Sequence, residues 1–451
     1  MTTRRIPPGP SSYFLGIDLI RRITADPLAF YDDARRRYGD VLYMRLGSYH
    51  DYTFFHPDAI HELLTTKAKS FARMNHQMKV FRQWNGDSLL IAEGSEWLRQ
   101  RRILQPAFSA KRFEAYGRAV VDCVREHLQR AVPAGGGVVD FERVAIELTT
   151  AVICRTMFGV DLGEKLPRIR QAVEVLVRAG YSEMLSFTWP DWMPLPSVRR
   201  KRQAIATLDT MVRAFIRERR AGGADRQDLL SMMLLAVDED ADGKGLTDQE
   251  VRDNCVTIFL AGHDTTAAGI TWLGWFLASR RQFTQRCRDE VQSATGGTPP
   301  EFKHLSQMTF LDQMIHETLR HRPPVIALFA REAIQEVEIG GWTLPKGALV
   351  HVLPYTVHHD ERWFPNPDEF DPERFSPLQL AKQQPYAYFP FGVGPRWCIG
   401  GHFAQMEIGL AAAVLLQEYE IEPAEGQSEP TAFSDLSLRP KGGLRLRMTP
   451  R

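Results

Sequence analysis

A chain of 451 residues, 44% hydrophobic and 25% charged, can bury a large core and has the composition of an ordinary globular protein. Its formal net charge of +1 excludes a global electrostatic pull toward nucleic acid or acidic membranes. Five scattered cysteines (Cys123, Cys154, Cys255, Cys287, Cys398) are an odd number, which reads as reduced cytoplasmic thiols rather than a disulfide framework.

Residues 1–9 are polar and basic and run into Pro7-Pro8-Gly9-Pro10, and the apolar residues from Phe14 to Ile20 are too few to span a membrane. Residues 41–55 alternate around Tyr43, Leu46 and Tyr52, which predicts a small strand pair, and a helix is expected over 59–66. The stretch 71–91 mixes Met74, Met78, Phe81, Trp84 and Leu90 with polar residues without a clean period, so a loop is expected there. Trp97 and Arg101 stand one helical turn apart and share a face. From 107 to 158 the pattern predicts helices with buried stripes at Val120, Val124 and Leu128, then at Ile146, Val152 and Met157. Aromatic residues recur at Tyr181, Phe187, Trp189 and Trp192, ahead of a basic run at 199–202 that by itself reads as a solvated face. Residues 222–225 read as an exposed loop.

Thr247-x-x-Glu250 is a capping-box signature, followed by Val251, Ile258 and Phe259 at helical spacing as far as about residue 278. Ala261-Gly262-His263-Asp264-Thr265-Thr266 lies at the middle of this run. One reading is two helices, with Gly262 ending the first and Asp264 capping the second. The other is one helix, in which Ala261 leaves room one turn before Thr265. The Thr265 hydroxyl then bonds back to the i−4 carbonyl, beside the Asp264 carboxyl. Glu317 and Arg320 share a face of a helix that ends before Pro323-Pro324, and taken alone suggest an exposed ion pair. A short apolar segment, 325–329, precedes Arg331. Alternation at Val337, Ile339 and Trp342, a turn at 345–347 and the run 349–352 predict a hairpin, and residues 431–443 predict a second.

The densest chemistry lies in Phe391-Gly392-Val393-Gly394-Pro395-Arg396-Trp397-Cys398-Ile399-Gly400. Gly392 and Gly394 allow backbone angles closed to other residues, and Pro395 delays a helix expected from about Gly400. Cys398 therefore sits beside a helix N-terminus, where a thiolate is favoured as nucleophile or metal ligand. No second cysteine is near, which argues against zinc or an iron–sulfur cluster. Trp397 occupies the place of the third glycine in a dinucleotide-binding Gly-x-Gly-x-x-Gly motif. A lone thiolate on a porphyrin iron remains, with Arg396 placed for a propionate; the bland alternative is a small buried cysteine in a glycine-rich turn.

Phe391, Gly394, Arg396, Cys398 and Gly400 fall where the haem-binding signature of the haem-thiolate monooxygenases requires them, and the chain resembles that family, the cytochromes P450. The resemblance implies one mostly α domain over 1–451 with small β-sheets and a long central helix over a haem. Residues 1–20 would be an extension with a proline-rich hinge and no membrane anchor, as in soluble bacterial-type members. It implies a haem b with Cys398 as axial ligand, Trp97, Arg101, Arg331 and Arg396 near the propionates, and Phe391 and Gly392 in the loop around it. Asp264 and Thr265 would be the proton-relaying acid–alcohol pair. Leu90, Ala261, Val325, Phe329 and Phe433 would line the substrate cavity, beneath a mobile lid at 174–196. Glu317 and Arg320 would interlock with Arg374 of the Pro372-Glu373-Arg374-Phe375 segment as a structural brace.

The implied reaction is hydroxylation or epoxidation of an apolar small molecule with O2. Electrons would come from a ferredoxin- or flavodoxin-type donor with its reductase, with Arg99, Arg102 and Lys382 as candidate docking cations. A cytoplasmic monomer that binds no nucleic acid is expected. A peroxide-driven peroxygenase of the same fold and a non-catalytic haem-based gas sensor are the alternatives.

Overall fold

The computed structural model describes residues 5–186, 188–190, 192–222, 228–236 and 245–451, so Phe187 and most of the 222–225 loop lie outside the described residues. The chain divides into two units, one built from Met1–Lys79 and His316–Cys398, the other from Val80–Ile315 and Ile399–Arg451.

The first unit is organised on a five-stranded sheet. The predicted strand pair forms, Val41–Leu46 against Tyr49–Phe54, with Val41 opposite Phe54. Tyr49–Phe54 then pairs in parallel with Leu349–Val352, which pairs antiparallel with Arg331–Ala333, and that strand takes Phe71–Arg73 on its far side. Leu349–Val352 thus leaves the expected hairpin, which reduces to Val337–Ile339 against Trp342–Leu344. Alternation explains the pleat: Tyr52, Phe54, Val350 and Val352 bury one face against Ile60, Leu63 and Phe389. The proline-rich segment is docked along this sheet and does not behave as a free hinge. The Tyr43 amide donates to the Pro8 carbonyl at 2.9 Å, and a Cβ on Gly9 would collide with the Tyr43 carbonyl.

The second unit is built on helices. The Asp248–Ser279 helix runs unbroken for 32 residues from a complete capping box at Thr247 and Glu250, so the two-helix alternative is not adopted. It is apolar on nearly every side, as a helix enclosed by neighbours must be, and packs against Phe141–Phe158 and Gly401–Glu418. Phe259, Trp272 and Phe276 are fully buried, each contributing about 1.5–3 kcal/mol. Gly274 admits the Phe141 ring where a Cβ would sit 2.2 Å from it. Glu407, on Gly401–Glu418, is 1% exposed and neither carboxyl oxygen has a hydrogen-bond partner among the described residues. A three-stranded sheet (Gly137–Asp140, Arg445–Pro450, Tyr419–Pro423) and a C-terminal hairpin (Ala432–Ser434, Leu438–Pro440) complete the unit.

Two expectations are corrected here. Residues Asn75–Asn85 form a helix whose apolar residues Met78, Val80, Phe81 and Trp84 are all buried. The basic run 199–202 is not wholly solvated. Lys201 is 2% exposed and its ammonium donates to Glu183 at 2.6 Å and Gln83 at 2.7 Å, a pairing that sequence spacing does not reveal.

Candidate active site

In the first unit the cysteine loop folds back on itself. The Cys398 amide donates to the Phe391 carbonyl and the Trp397 amide to the Gly394 carbonyl, both at 3.0 Å. Gly392 and Gly394 sit at φ +74°, and a Cβ on Gly394 would lie 2.1 Å from the Leu64 carbonyl oxygen, so only glycine fits there. The Phe391 and Trp397 rings meet edge-on with centroids 6.1 Å apart. Cys398 is exposed, whereas the other four cysteines are buried. Burial pushes the Cys123 thiol up to about 12 and raises those of Cys154, Cys255 and Cys287 as well. Cys398 differs from these four in being open to solvent.

Arg331 opens its strand directly opposite Arg73. Two cations facing each other across a strand pair destabilise it unless an anion joins them. Arg73 was not singled out from the sequence, because only this register reveals it. Its guanidinium also lies 5.9 Å from the centroid of Phe329, which is half-buried like Val325 and Arg396.

The bracing trio forms within the same unit. Glu317 and Arg320 are fully buried, not an exposed pair, with Arg320 Nε and Nη2 donating to the two carboxylate oxygens at 2.7 and 2.8 Å. Arg320 also donates to the carbonyls of His358 and Pro367 at 2.8 and 2.9 Å. Arg374 Nε lies 3.5 Å from Glu317, which accepts from the Asp371 amide at 2.8 Å. These groups face one another, which suits a brace.

In the second unit Trp97 and Arg101 share the Gly94–Leu104 helix one turn apart, and both are half-buried, as is Leu90. Arg99 is corrected as a docking cation: it is tied to Glu250 and to Glu96, the latter at 2.9 Å, with its side chain 16% exposed. On the long helix Ala261 is exposed and Thr265 half-buried. The Thr265 hydroxyl donates to the Ala261 carbonyl at 2.8 Å, and Thr149 donates to the His263 carbonyl at 2.9 Å. Two carbonyls of one turn therefore take an additional donor each. His263 is buried against Phe259, and burial pulls its imidazole down to about 4, so it is neutral at physiological pH. Asp264 is buried and its Oδ1 forms an ion pair with an Nη of Arg439, which stands opposite Phe433 in the C-terminal hairpin. Sequence reading pointed to Phe433, which is 50% exposed, and passed over Arg439, because a long-range ion pair has no local signature.

Within the first unit the donor set suits a haem: the Cys398 sulfur on a glycine loop for the iron, and Arg73, Arg331 and Arg396 for carboxylates. The cytochrome P450 family model matches residues 7–447. Leukotriene-B4 omega-hydroxylase 3 of Mus musculus is 32% identical over 424 residues, covering 88% of this chain and 80% of that protein. Human cytochrome P450 4F3 is 30% identical over 470 residues, 98% of this chain and 89% of its own. Cyclooctat-9-en-7-ol 5-monooxygenase of Streptomyces melanosporofaciens is 32% identical over 394 residues, 86% and 84% of the two chains. A match that spans nearly the whole length, on a mostly helical fold with small sheets, makes this chain a member of the cytochrome P450 family and an enzyme of the monooxygenase class.

Proposed function

We propose that the protein inserts one oxygen atom from O2 into a C–H or C=C bond of an apolar organic molecule, using electrons from a separate redox protein. A haem b, when bound, supplies the centre at which dioxygen is activated. Cys398 would hold its iron, Trp97, Arg101, Arg331 and Arg396 would hold its propionates, and Phe391 and Gly392 would shape the loop around it. Asp264 and Thr265 carry protons. Because the Thr265 hydroxyl donates to the Ala261 carbonyl, its oxygen keeps lone pairs free to accept a proton. Leu90, Ala261, Val325, Phe329 and Phe433 are the proposed apolar contacts for substrate, and relatives named as a hydroxylase and a monooxygenase support that class.

The observation that carries this reading is the turn at 261–265, where a buried ion-paired carboxyl and a back-bonded hydroxyl occupy adjacent positions on one helix. The proposed donor is a ferredoxin or flavodoxin with its reductase, for which exposed Lys382 is a candidate contact. No helix among the described residues is long and apolar enough to cross a membrane. A cytoplasmic location is proposed from the free cysteines. In the test, Thr265→Ala should retain haem while diverting reductant to peroxide, and unchanged coupling would refute the proton role. Cys398→Ser should abolish the far-red carbon monoxide band of the reduced protein.

A further inference from the structure

Several buried polar side chains near the start of the long helix take no part in the proposed chemistry. Asp253, Asn254 and Thr257, on the first three turns of Asp248–Ser279, are 2%, 0% and 7% exposed. Burying a polar group is unfavourable unless a partner offsets it, so its partners tell what it serves. Here they converge on residues 84–89. Asp253 accepts from the Asp87 amide at 3.0 Å, and the Asn254 side-chain oxygen accepts from the Leu89 amide at 2.9 Å. The Thr257 hydroxyl lies 2.7 Å from the Ser88 hydroxyl and 3.1 Å from the Asn85 side-chain oxygen. Arg252 donates to the Trp84 carbonyl at 2.8 Å.

Gln100 closes the set from the Gly94–Leu104 helix. Its side chain accepts from the Asn254 amide group at 3.0 Å and donates to the Asp87 carbonyl at 2.8 Å. Gly86, at φ +54°, is shaped to the same clamp, because a Cβ there would collide with the Asp253 carboxyl.

Apolar side chains of similar volume would hold this loop about as stably. What directional hydrogen bonds add is a single geometry. With the Asp87 and Leu89 amides taken, Leu89 and Ile91 are buried and Leu90 between them is half-buried. Thr257 precedes Thr265 by eight residues on one unbroken helix, about 12 Å along its axis. The element that carries the 261–265 turn therefore also fixes the loop at 86–92.

We propose that Asn254, with Asp253 and Thr257, is a specificity-determining positioning residue. It locks residues 86–92 to the long helix so that Leu90 is a rigid wall, and that wall selects the shape of apolar molecule the enzyme accepts. The proposal rests on the reading of Leu90 as a substrate contact. A misplacement of about 1 Å is enough to cost on the order of a hundredfold in rate, so a wall held in register with the reacting turn governs which carbon is presented.

The test uses the purified haem-loaded protein with Asn254→Ala, Thr257→Val, the conservative Thr257→Ser, and Leu90→Ala. Hydrogen exchange at residues 87–89 should quicken at least tenfold in Asn254→Ala and Thr257→Val and stay near wild type in Thr257→Ser. Soret titrations with 1-octylimidazole and the bulkier 1-(1-adamantyl)imidazole, each referred to plain imidazole, then read the wall. The preference between the two probes should change at least fivefold in Asn254→Ala and Thr257→Val, with Thr257→Ser keeping the wild-type value. Unchanged exchange overturns the clamp, and faster exchange with an unchanged probe preference overturns the specificity role. If the clamp variants shift the preference but Leu90→Ala does not, the positioning role stands and the reading of Leu90 falls.

Discussion

Replacing Glu407 should stabilise this protein, and by an amount that grows with pH. The side chain is 1% exposed and its two oxygens have no hydrogen-bond partner among the described residues. Burial alone holds the carboxyl well above the usual carboxylate range. In the unfolded chain the same group ionises above about pH 4.3, so the native state binds the extra proton and stability falls as pH rises. The loss is at most about 1.4 kcal/mol per pH unit, until the native carboxyl itself ionises. From pH 5.5 to 7.5 that is about 2.8 kcal/mol. At roughly 2.1 cal/mol/K per residue over 451 residues, it corresponds to about 3 °C in Tm. Glu407→Gln removes the titration, and Glu407→Met also removes the unpaired polar group, adding about 1–3 kcal/mol at every pH. Calorimetry or urea titration of the three proteins across this window is the assay. Parallel Tm–pH curves for wild type and Glu407→Gln would refute the reasoning, since they would mean the native carboxyl ionises normally.

Gly394→Ala should cost at least about 1–3 kcal/mol in the first unit from the φ of +74° alone, with the clash on Leu64 in addition, and should lower haem content on purification. Arg320→Met leaves Glu317 as a buried charge with weaker compensation, and should cost about 3–5 kcal/mol or prevent folding; a change under 1 kcal/mol in urea denaturation would refute a bracing role. His321, His358 and His359 are buried and held neutral by desolvation, His359 down to about 3. The unfolded chain takes up their protons below about pH 6.5, so stability present above that pH is lost as acid is added, by up to about 1.4 kcal/mol per pH unit for each histidine. His359→Gln should flatten the Tm decline between pH 6.5 and 5, and an unaltered slope would count against it.

Legibility followed the range of the interactions. The cysteine loop and the capping box at Thr247 are written in local spacing, and so were readable, whereas spacing left open whether one helix or two followed the cap. The helix at Asn75–Asn85 was missed because Met78, Val80, Phe81 and Trp84 are its only apolar residues, too few among polar neighbours to define a period. Lys201, Arg73 and Arg439 were missed for a different reason. Their partners Glu183, Arg331 and Asp264 are 18, 258 and 175 residues away in sequence, and pairing at such distances is fixed by the fold and not by any motif. The family resemblance supplied the trio of Glu317, Arg320 and Arg374, whereas spacing alone would have put Glu317 and Arg320 on the surface.

The five-stranded sheet imposes an order on synthesis. Tyr49–Phe54 leaves the ribosome early, but its parallel neighbour Leu349–Val352 follows about 300 residues later. At roughly 5–20 residues per second the nascent strand waits some 15–60 s with one edge uncovered. Chains stalled or truncated before residue 349 would therefore carry an open β-edge, and nascent-chain chaperones or a low expression temperature should decide the yield of intact protein more than the final stability does.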